Sequence, residues 1–291
     1  MEPAKPSPAL ILFRSIRSGH FNIHAMNSDG TEATALTNDT LGDGDAKWSP
    51  DGTRIVLTKS FDIYTMNPNG TGLVRLTDGF RTTPPSYSIQ PAWSPDGKKI
   101  AFVTDRGFPG PGVGLMEIYV MNVDGTGVAR LTDNSANDWH PSWSPDGTRI
   151  AFESDRDFNT EIYVMNSNGT EQTNLTRNSL NDDDPAMSPD GKKIAFVSWR
   201  NSDTDAEVFV MNADGTGVTR LTDTAGNDRQ PSWSPDGSKI AFSSGQSDLG
   251  TDFEIYTMNA NGSGVTRITT SPGWDDEPDW GPQRRQSRHL R

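Results

Sequence analysis

Counting back five residues from Trp48, Trp93, Trp143, Met187, Trp233 and Trp280 lands on Asp43, Ser88, Asp138, Asp182, Asp228 and Asp275. Five carboxylates at one repeating register are the side chains of this chain most able to do chemistry. Gathered round a common axis they would repel, and a metal cation, a basic side chain of a partner or protonation would relieve the repulsion. Oxygen ligands without nitrogen or sulfur suit Ca2+ or Mg2+. Each aspartate would also serve as a cap that accepts backbone N–H groups of its own turn. The sequence leaves both readings open.

Aromatic residues that do not repeat lie near these aspartates in sequence. Trp139, Trp199 and Trp274 are loop aromatics that most other units lack, and Tyr87 and Phe108 fall in the two longest insertions, 79–90 and 107–116. Exposed aromatics beside arginine compose a binding hot spot or a sugar-stacking platform; laid over the ends of strands they would only pack. His140, next but one to Asp138, is the one histidine placed for acid–base work or ligand contact. His24 replaces Tyr64, Tyr119, Tyr163, Phe209 and Tyr256 of the other units and reads as a core residue. Arg17, Arg106, Arg156 and Arg200 precede Asn22, Glu117, Glu161 and Glu207 by a short loop, a spacing that predicts ion pairs across a hairpin. No Gly-x-Ser-x-Gly, His-Glu-x-x-His or Walker loop occurs, and Cys is absent, which excludes thiolate nucleophiles and disulfides. No catalytic residue is assigned. The binding candidates are Tyr87, Phe108, Trp139, His140, Trp199 and Trp274, and the metal candidates are the five aspartates.

The elements that must position these residues come from a repeat. The unit reads Trp-Ser-Pro-Asp-Gly-x-Lys/Arg-Ile-Ala-Phe, then a variable loop, then Glu-Ile-Tyr-Val-Met-Asn-x-Asp/Asn-Gly-Thr followed by Arg-Leu-Thr, and its marker residues are 44 to 50 apart. Pro-Asp-Gly and Asn-x-Asp-Gly turns leave runs long enough only for strands, and a period of about 40–50 residues with four short strands marks a propeller blade. The fold predicted is all-β: six blades of four antiparallel strands. Residues 9–37 provide three strands of a blade without its first, and Glu277–Pro282 provide a first strand without the other three. Their pairing would close the ring and remove exposed strand edges. Residues 1–8 form an N-terminal extension, 9–282 the propeller, and 283–291 a basic C-terminal tail. Within each blade the two repeated turns share one face. The other face, built of the loops between second and third strands and between successive blades, carries the insertions and is the predicted binding face.

A net charge of -13 excludes non-specific nucleic-acid binding and favours cationic partners. The longest apolar run near the start, Ala9–Phe13, is too short for a membrane span or an export signal.

The Trp-Ser-Pro-Asp-Gly…Glu-Ile-Tyr-Val-Met-Asn-x-Asp-Gly…Arg-Leu-Thr unit resembles the WD40-like PD40 repeat of TolB-type β-propellers over residues 9–282. That resemblance implies a six-bladed, protein-binding propeller of the periplasm or cell exterior; the chain itself is expected to be a monomer that binds rather than catalyses. Family members carry an N-terminal α/β domain that has no counterpart in these residues. The same repeat also occurs in peptidases and in lyases that bind metal through clustered histidines. The expected function is therefore engagement of a protein, peptide or small ligand over an acidic channel mouth. Metal-dependent lyase or hydrolase chemistry on a sugar or lactone is the alternative, and a consensus-like designed scaffold would show equally uniform turns.

Overall fold

Each Ser-Pro-Asp-Gly segment closes a turn with its own side chains. Ser49 Oγ donates to Asp51 at 2.7 Å and accepts the Arg54 N–H at 2.9 Å, while Asp51 accepts the Thr53 N–H at 3.0 Å. Ser94–Asp96, Ser144–Asp146, Ser188–Asp190 and Ser234–Asp236 repeat the device. Pro fixes φ and Gly takes the positive-φ position that a side chain would resist, as at Gly52 with φ of 68°. Strands are thus cut to about six residues.

The structure is a computed structural model that describes residues 10–79, 85–106, 114–200, 205–245 and 252–282. These residues form six four-stranded antiparallel sheets, five of which run in chain order. In the sixth, β24 (Asp275–Trp280) pairs with β1 (Leu10–Ser15), setting Trp280 opposite Ile11 and Asp275 opposite Ser15. The ring closes as the incomplete terminal units predict. Phe108 and the segments 1–9 and 283–291 lie outside the described residues.

Packing joins neighbouring blades. Leu12, Ile23 and Ala25 of one blade meet Ala46, Trp48, Ile55 and Leu57 of the next, and Ile11, Phe13 and Met26 meet Ala241 and Ile255 across the closure. The Ile-Ala-Phe of four second strands is buried, as are its counterparts Ile11-Leu12-Phe13 and Ile55-Val56-Leu57; Phe102, Phe152, Phe196 and Phe242 each lie against the aromatic of the third strand, at 5.7 to 6.1 Å between ring centres. His24 takes that aromatic's place 5.4 Å from Phe13, and burial lowers its pKa to about 4. Loss of one such ring costs about 3–5 kcal/mol, so these repeated side chains carry the stability of the ring.

The innermost strand of every blade is bulged. Its pairing with the second strand slips between the residues four before and one before the tryptophan register, for example between Trp139 and Ser142. The bulged residues are Asp45, Gln90, His140, Asp184, Gln230 and Glu277, all left-handed with φ between 48° and 56°. Proline follows five of them, which removes a ladder N–H at the same place.

Candidate functional site

Six non-glycine residues in the left-handed region, one per blade, are costly enough that the surrounding structure must hold them there. The holding groups are the bulged side chains themselves. Glu277 Oε2 accepts the Asp45 N–H at 2.6 Å, Asp45 Oδ2 the Gln90 N–H at 3.2 Å, Gln90 Oε1 the His140 N–H at 3.1 Å, Asp184 Oδ2 the Gln230 N–H at 3.3 Å, and Gln230 Oε1 the Glu277 N–H at 3.1 Å. Each blade thus caps the next around the axis. The cycle has one gap, because an imidazole carries no oxygen to offer the Asp184 N–H. Glu153, which stands on strand β13 (Arg149–Ser154) where two other blades have Val103 and Val197, turns in and accepts that N–H at 2.8 Å.

His140, Glu153 and Asp184 are consequently drawn together. His140 Nδ1 lies 3.0 Å from Glu153 and 3.4 Å from Asp184, and the Gln90 amide reaches Nε2 at 2.6 Å. Burial alone would lower the imidazole's pKa, but the Glu153 and Asp184 carboxylates outweigh it and raise the value to about 10. The two carboxylates thus favour the imidazolium, against the Gln90 amide nitrogen, which as a donor toward Nε2 favours the neutral ring. Burial, with Glu153 and Asp184 nearby, pushes Asp183 up to about 7. Glu277 is pushed up to about 8 by burial and Asp45, against the pull of Arg14 at 2.9 Å. Among the described residues this trio is the group of His, Asp and Glu side chains whose potential ligand atoms all lie within 4.8 Å of one another. A divalent ion there would have to displace the proton that now neutralises the cluster.

The ring forms one end of a cavity of about 480 Å3. Its walls are Trp48, Trp93, Trp143, Met187, Trp233 and Trp280, and its rim is Pro50, Pro95, Pro145, Pro189, Pro235 and Pro282 of the repeated turns. The cavity thus runs from the ring to the turn face, opposite to the loop face on which the sequence places binding.

The five aspartates of the first register are elsewhere. They are buried at 0–2 % exposure in the bodies of their blades. Asp275 accepts from Arg17 at 2.6 Å, Asp138 from Arg156 at 2.9 Å, Asp182 from Arg200 at 2.6 Å and Asp43 from Lys59 at 3.0 Å, while Asp228 accepts from Thr224 at 3.0 Å. The structure does not gather them at a common point. The arginine register therefore answers these aspartates rather than the third-strand carboxylates, which take another cation: Arg130 for Glu117 at 2.7 Å, and Arg220 for Glu207.

Of the aromatic candidates, Trp199 and Trp274 belong to one arc. Arg14 covers Phe21 at 4.4 Å, Phe21 meets Trp274 at 6.4 Å, Trp274 meets Phe253 at 5.2 Å, and Arg229 lies 5.8 Å from both Phe253 and Trp199. Trp139 packs instead over the cluster of Val103, Ile118 and Phe152. Tyr87, 38 % exposed, pairs with Phe61 at 4.9 Å. His140 is the binding candidate that reaches the channel. Its five ring partners and Glu153 escape the sequence reading, although a polar residue before proline, three ahead of the tryptophan, marks most of them.

A ring of six four-stranded blades with a capped polar channel defines a six-bladed propeller of the protein-family type built from short tandem repeats. The family model described as TolB beta propeller domain matches residues 84–204 and 181–287, and the chain belongs to that PD40 family. TolB from Acinetobacter baumannii superposes with a TM-score of 0.79 at 22% identity, over 96% of this chain and 68% of that one. A protein of Agrobacterium tumefaciens provisionally named TolB gives 0.74 at 24% identity, over 96% and 100%. An oligogalacturonate lyase in complex with manganese gives 0.62 at 16% identity, over 89% and 73%, a likeness of fold alone. An uncharacterized protein of Agrobacterium fabrum is 35% identical over 96 residues, so the match covers 32% of this chain and less than a third of that relative's length. Among the described residues no helix is long and apolar enough to cross a membrane.

Proposed function

We propose that this propeller binds a protein or peptide partner by taking a cationic segment into the channel cavity from the turn face. The observation that carries this reading is the composition of the cavity: Asp45 and Asp184 in the capped ring, with Glu277 beside them as a carboxyl that a cation would draw into its charged form, then tryptophan walls and a proline rim. Guanidinium and ammonium groups gain from both parts, by charge at the base and by stacking on indole faces along the walls. The Ca2+ or Mg2+ expected from five aspartates has less support, because those carboxylates have Arg, Lys or Thr partners and His140 already supplies positive charge to the trio. Membership of a TolB-type family supports a location outside the cytoplasm, and a monomeric ring needs no second copy to cover its edges.

The test is a titration of an oligo-arginine peptide followed by tryptophan fluorescence, with the native chain and with Asp45→Asn/Asp184→Asn. Saturable binding that weakens in the variant and at high salt supports the reading; identical binding by both proteins removes the channel as the site.

A second reading, metal-assisted lyase chemistry, draws on the His140, Glu153 and Asp184 trio and on the manganese-bound lyase of similar fold. Oligogalacturonate incubated with the protein and Mn2+ would then yield unsaturated product. No product, and no Mn2+ binding by calorimetry, would remove it.

A further inference from the structure

We infer a second binding site, independent of the channel reading: a cleft on the turn face, between the second blade (residues 43–75) and the third (residues 88–130), that takes a short peptide with both termini free. Around most of this face each Pro-Asp-Gly turn leans on the one before it. A side chain at Gly52, Gly147, Gly191 or Gly237 would meet the proline of the preceding blade within 4 Å, whereas at Gly97 it would meet nothing. A cavity of about 440 Å3 opens at that gap, within the range of small-ligand sites and larger than one amino acid fills. It touches the channel rim at Pro50, Trp93 and Pro95 and shares none of the channel's charged residues.

A proline accounts for the gap. In four blades the turn between third and fourth strands is tied to the Pro-Asp-Gly turn by one backbone bond: the Val123 N–H to Lys98 O at 3.2 Å, Ser167 to Thr148 at 2.8 Å, Ala213 to Lys192 at 2.9 Å and Ala260 to Ser238 at 2.9 Å. The second blade has Pro68 at this position, which has no N–H to give. Its Pro-Asp-Gly turn leans on Pro282 through Gly52, and Pro50 stands off Gly97.

The walls of the cleft carry both charges. On one side Arg54, half-buried, donates through Nη2 to the Thr65 hydroxyl, where three other blades have Val120, Val164 and Val210. Its Nε is buried without a partner, and among the described residues no carboxylate forms an ion pair with it. On the other side Asp96 accepts the Ser94 hydroxyl and the Lys98 N–H through Oδ1, which hold its pKa below the ordinary carboxylate range. Its Oδ2 remains able to accept, since Lys98 adds charge nearby but forms no ion pair with it. Between the two lie Pro50, Trp93, Pro95 and Val123. A plain anion would meet the carboxylates of Asp51 and Asp96, and a plain cation the guanidinium. A zwitterion satisfies both walls: its carboxylate pairs with Arg54, its ammonium with Asp96, and its side chains lie on indole and proline.

The experiment titrates the full chain by calorimetry with the dipeptide Leu-Ala, with acetyl-Leu-Ala and with Leu-Ala amide, in the native form and as Arg54→Gln, Asp96→Asn and Pro68→Ala. Gln can still bond Thr65 and Asn can still cap its turn, so these two variants remove charge and little else. The native chain is expected to bind Leu-Ala saturably. Each charge variant, and each capped peptide on the native chain, should bind about tenfold more weakly, the size of one lost charge-assisted bond. Pro68→Ala introduces the residue that two other blades carry there, restores the N–H and should weaken binding likewise while the chain stays folded by circular dichroism. No saturable binding by the native chain, or equal affinity in Arg54→Gln, would overturn the site. Equal binding of the capped peptides would overturn the zwitterion and leave an apolar recess. Native-strength binding by Pro68→Ala would overturn the missing tie as the origin of the cleft. Loss of Leu-Ala binding in Asp45→Asn/Asp184→Asn would move the peptide into the channel and overturn a separate site.

Discussion

Two registers on one strand, two residues apart, behave in opposite ways. Five residues before the tryptophan the side chain is almost always Asp, buried, and bonded within its own blade, to Arg156 for Asp138 and Arg200 for Asp182. Three residues before it the side chain varies among Asp, Gln, His and Glu, faces the channel, and is bonded to the next blade. In a repeat protein, uniformity marks what every unit must do for itself. Variation at a register where the backbone is fixed marks where the units do something together.

The comparison breaks most visibly if the uniform register is dispensable. Asp182→Ala leaves the Arg200 guanidinium half-buried beside Ser198 without its carboxylate, and removing one partner of a buried pair costs about 3–5 kcal/mol. Urea unfolding of the variant should show that loss. A change below about 1 kcal/mol would mean that Asp182 is a spectator and that the pairing across the bulge adds nothing to the blade.

The variable register is sharpened by a double-mutant cycle. Glu153→Val, the residue type of the matching positions Val103 and Val197, removes the oxygen that accepts the Asp184 N–H and the carboxylate beside His140, at about 2–3 kcal/mol. In a His140→Gln background the new amide can cap Asp184 as Gln90 caps His140 and Gln230 caps Glu277. The Glu153→Val cost should then fall to about 0.5 kcal/mol, a coupling on the order of 2 kcal/mol. Additive losses would show that Glu153 is not there to mend the cycle.

The fold was legible because its signals are local: turn residues at fixed offsets, a six-fold repeat, and two incomplete units that complete each other, as β24 and β1 do. The site was legible only in part, since it depends on a bulge. The start of the innermost strand reads as the channel mouth, which places Asp138 there; the bulge between Trp139 and Ser142 instead brings His140 to the channel, while Asp138 pairs with Arg156. Glu153 was hidden because its reason lies in the next blade, in an N–H that His140 cannot cap. Trp139 read as a loop aromatic because strand β12 (Asp138–Trp143) begins one residue before it.

The pH dependence of stability separates the channel register from the repeated turns. His140 is held protonated to about pH 10 against an ordinary 6.5. Its contribution is complete below pH 6.5 and is lost as pH rises toward 10. Glu277 and Asp183, pushed up to about 8 and about 7, have the same sign, because above the ordinary carboxylate range the folded chain retains protons that the unfolded chain has released. The turn residues Asp51, Asp96, Asp190 and Asp236 are held low by Ser hydroxyls and backbone N–H groups, and their contribution is lost as pH falls through the carboxylate range. Tm should therefore peak at roughly pH 4–6. The decline from pH 6.5 to 10 should flatten in His140→Gln by on the order of 2 kcal/mol, a value discounted for the third of the ring that meets solvent. An unchanged alkaline limb would remove the imidazolium from the channel.

The smallest expected effect is a gain, and it tests whether the uniform register is a self-contained module. Blade three has Ser88 in place of Asp, and Arg106, at the arginine register, has a buried Nε without a hydrogen-bond partner. Thr104 stands opposite Ser88, where four other blades pair their Asp with Ser15, Ser154, Ser198 and Ser244. Ser88→Asp should rebuild the Asp138–Arg156 arrangement and gain about 1 kcal/mol, the net worth of one charge-assisted bond after the carboxylate is desolvated. The site is closed, however, with Ser88 and Thr104 both at 0 % exposure, and the extra methyl of Thr104 is a crowding that the serine blades avoid. The decisive protein is therefore Ser88→Asp/Thr104→Ser, compared with Thr104→Ser alone by urea unfolding. A gain in that comparison makes the Asp, Ser and Arg set transferable between blades. A loss there would show that the set depends on the neighbouring blade, and the division between private and shared registers would fail at the place where it is simplest to test.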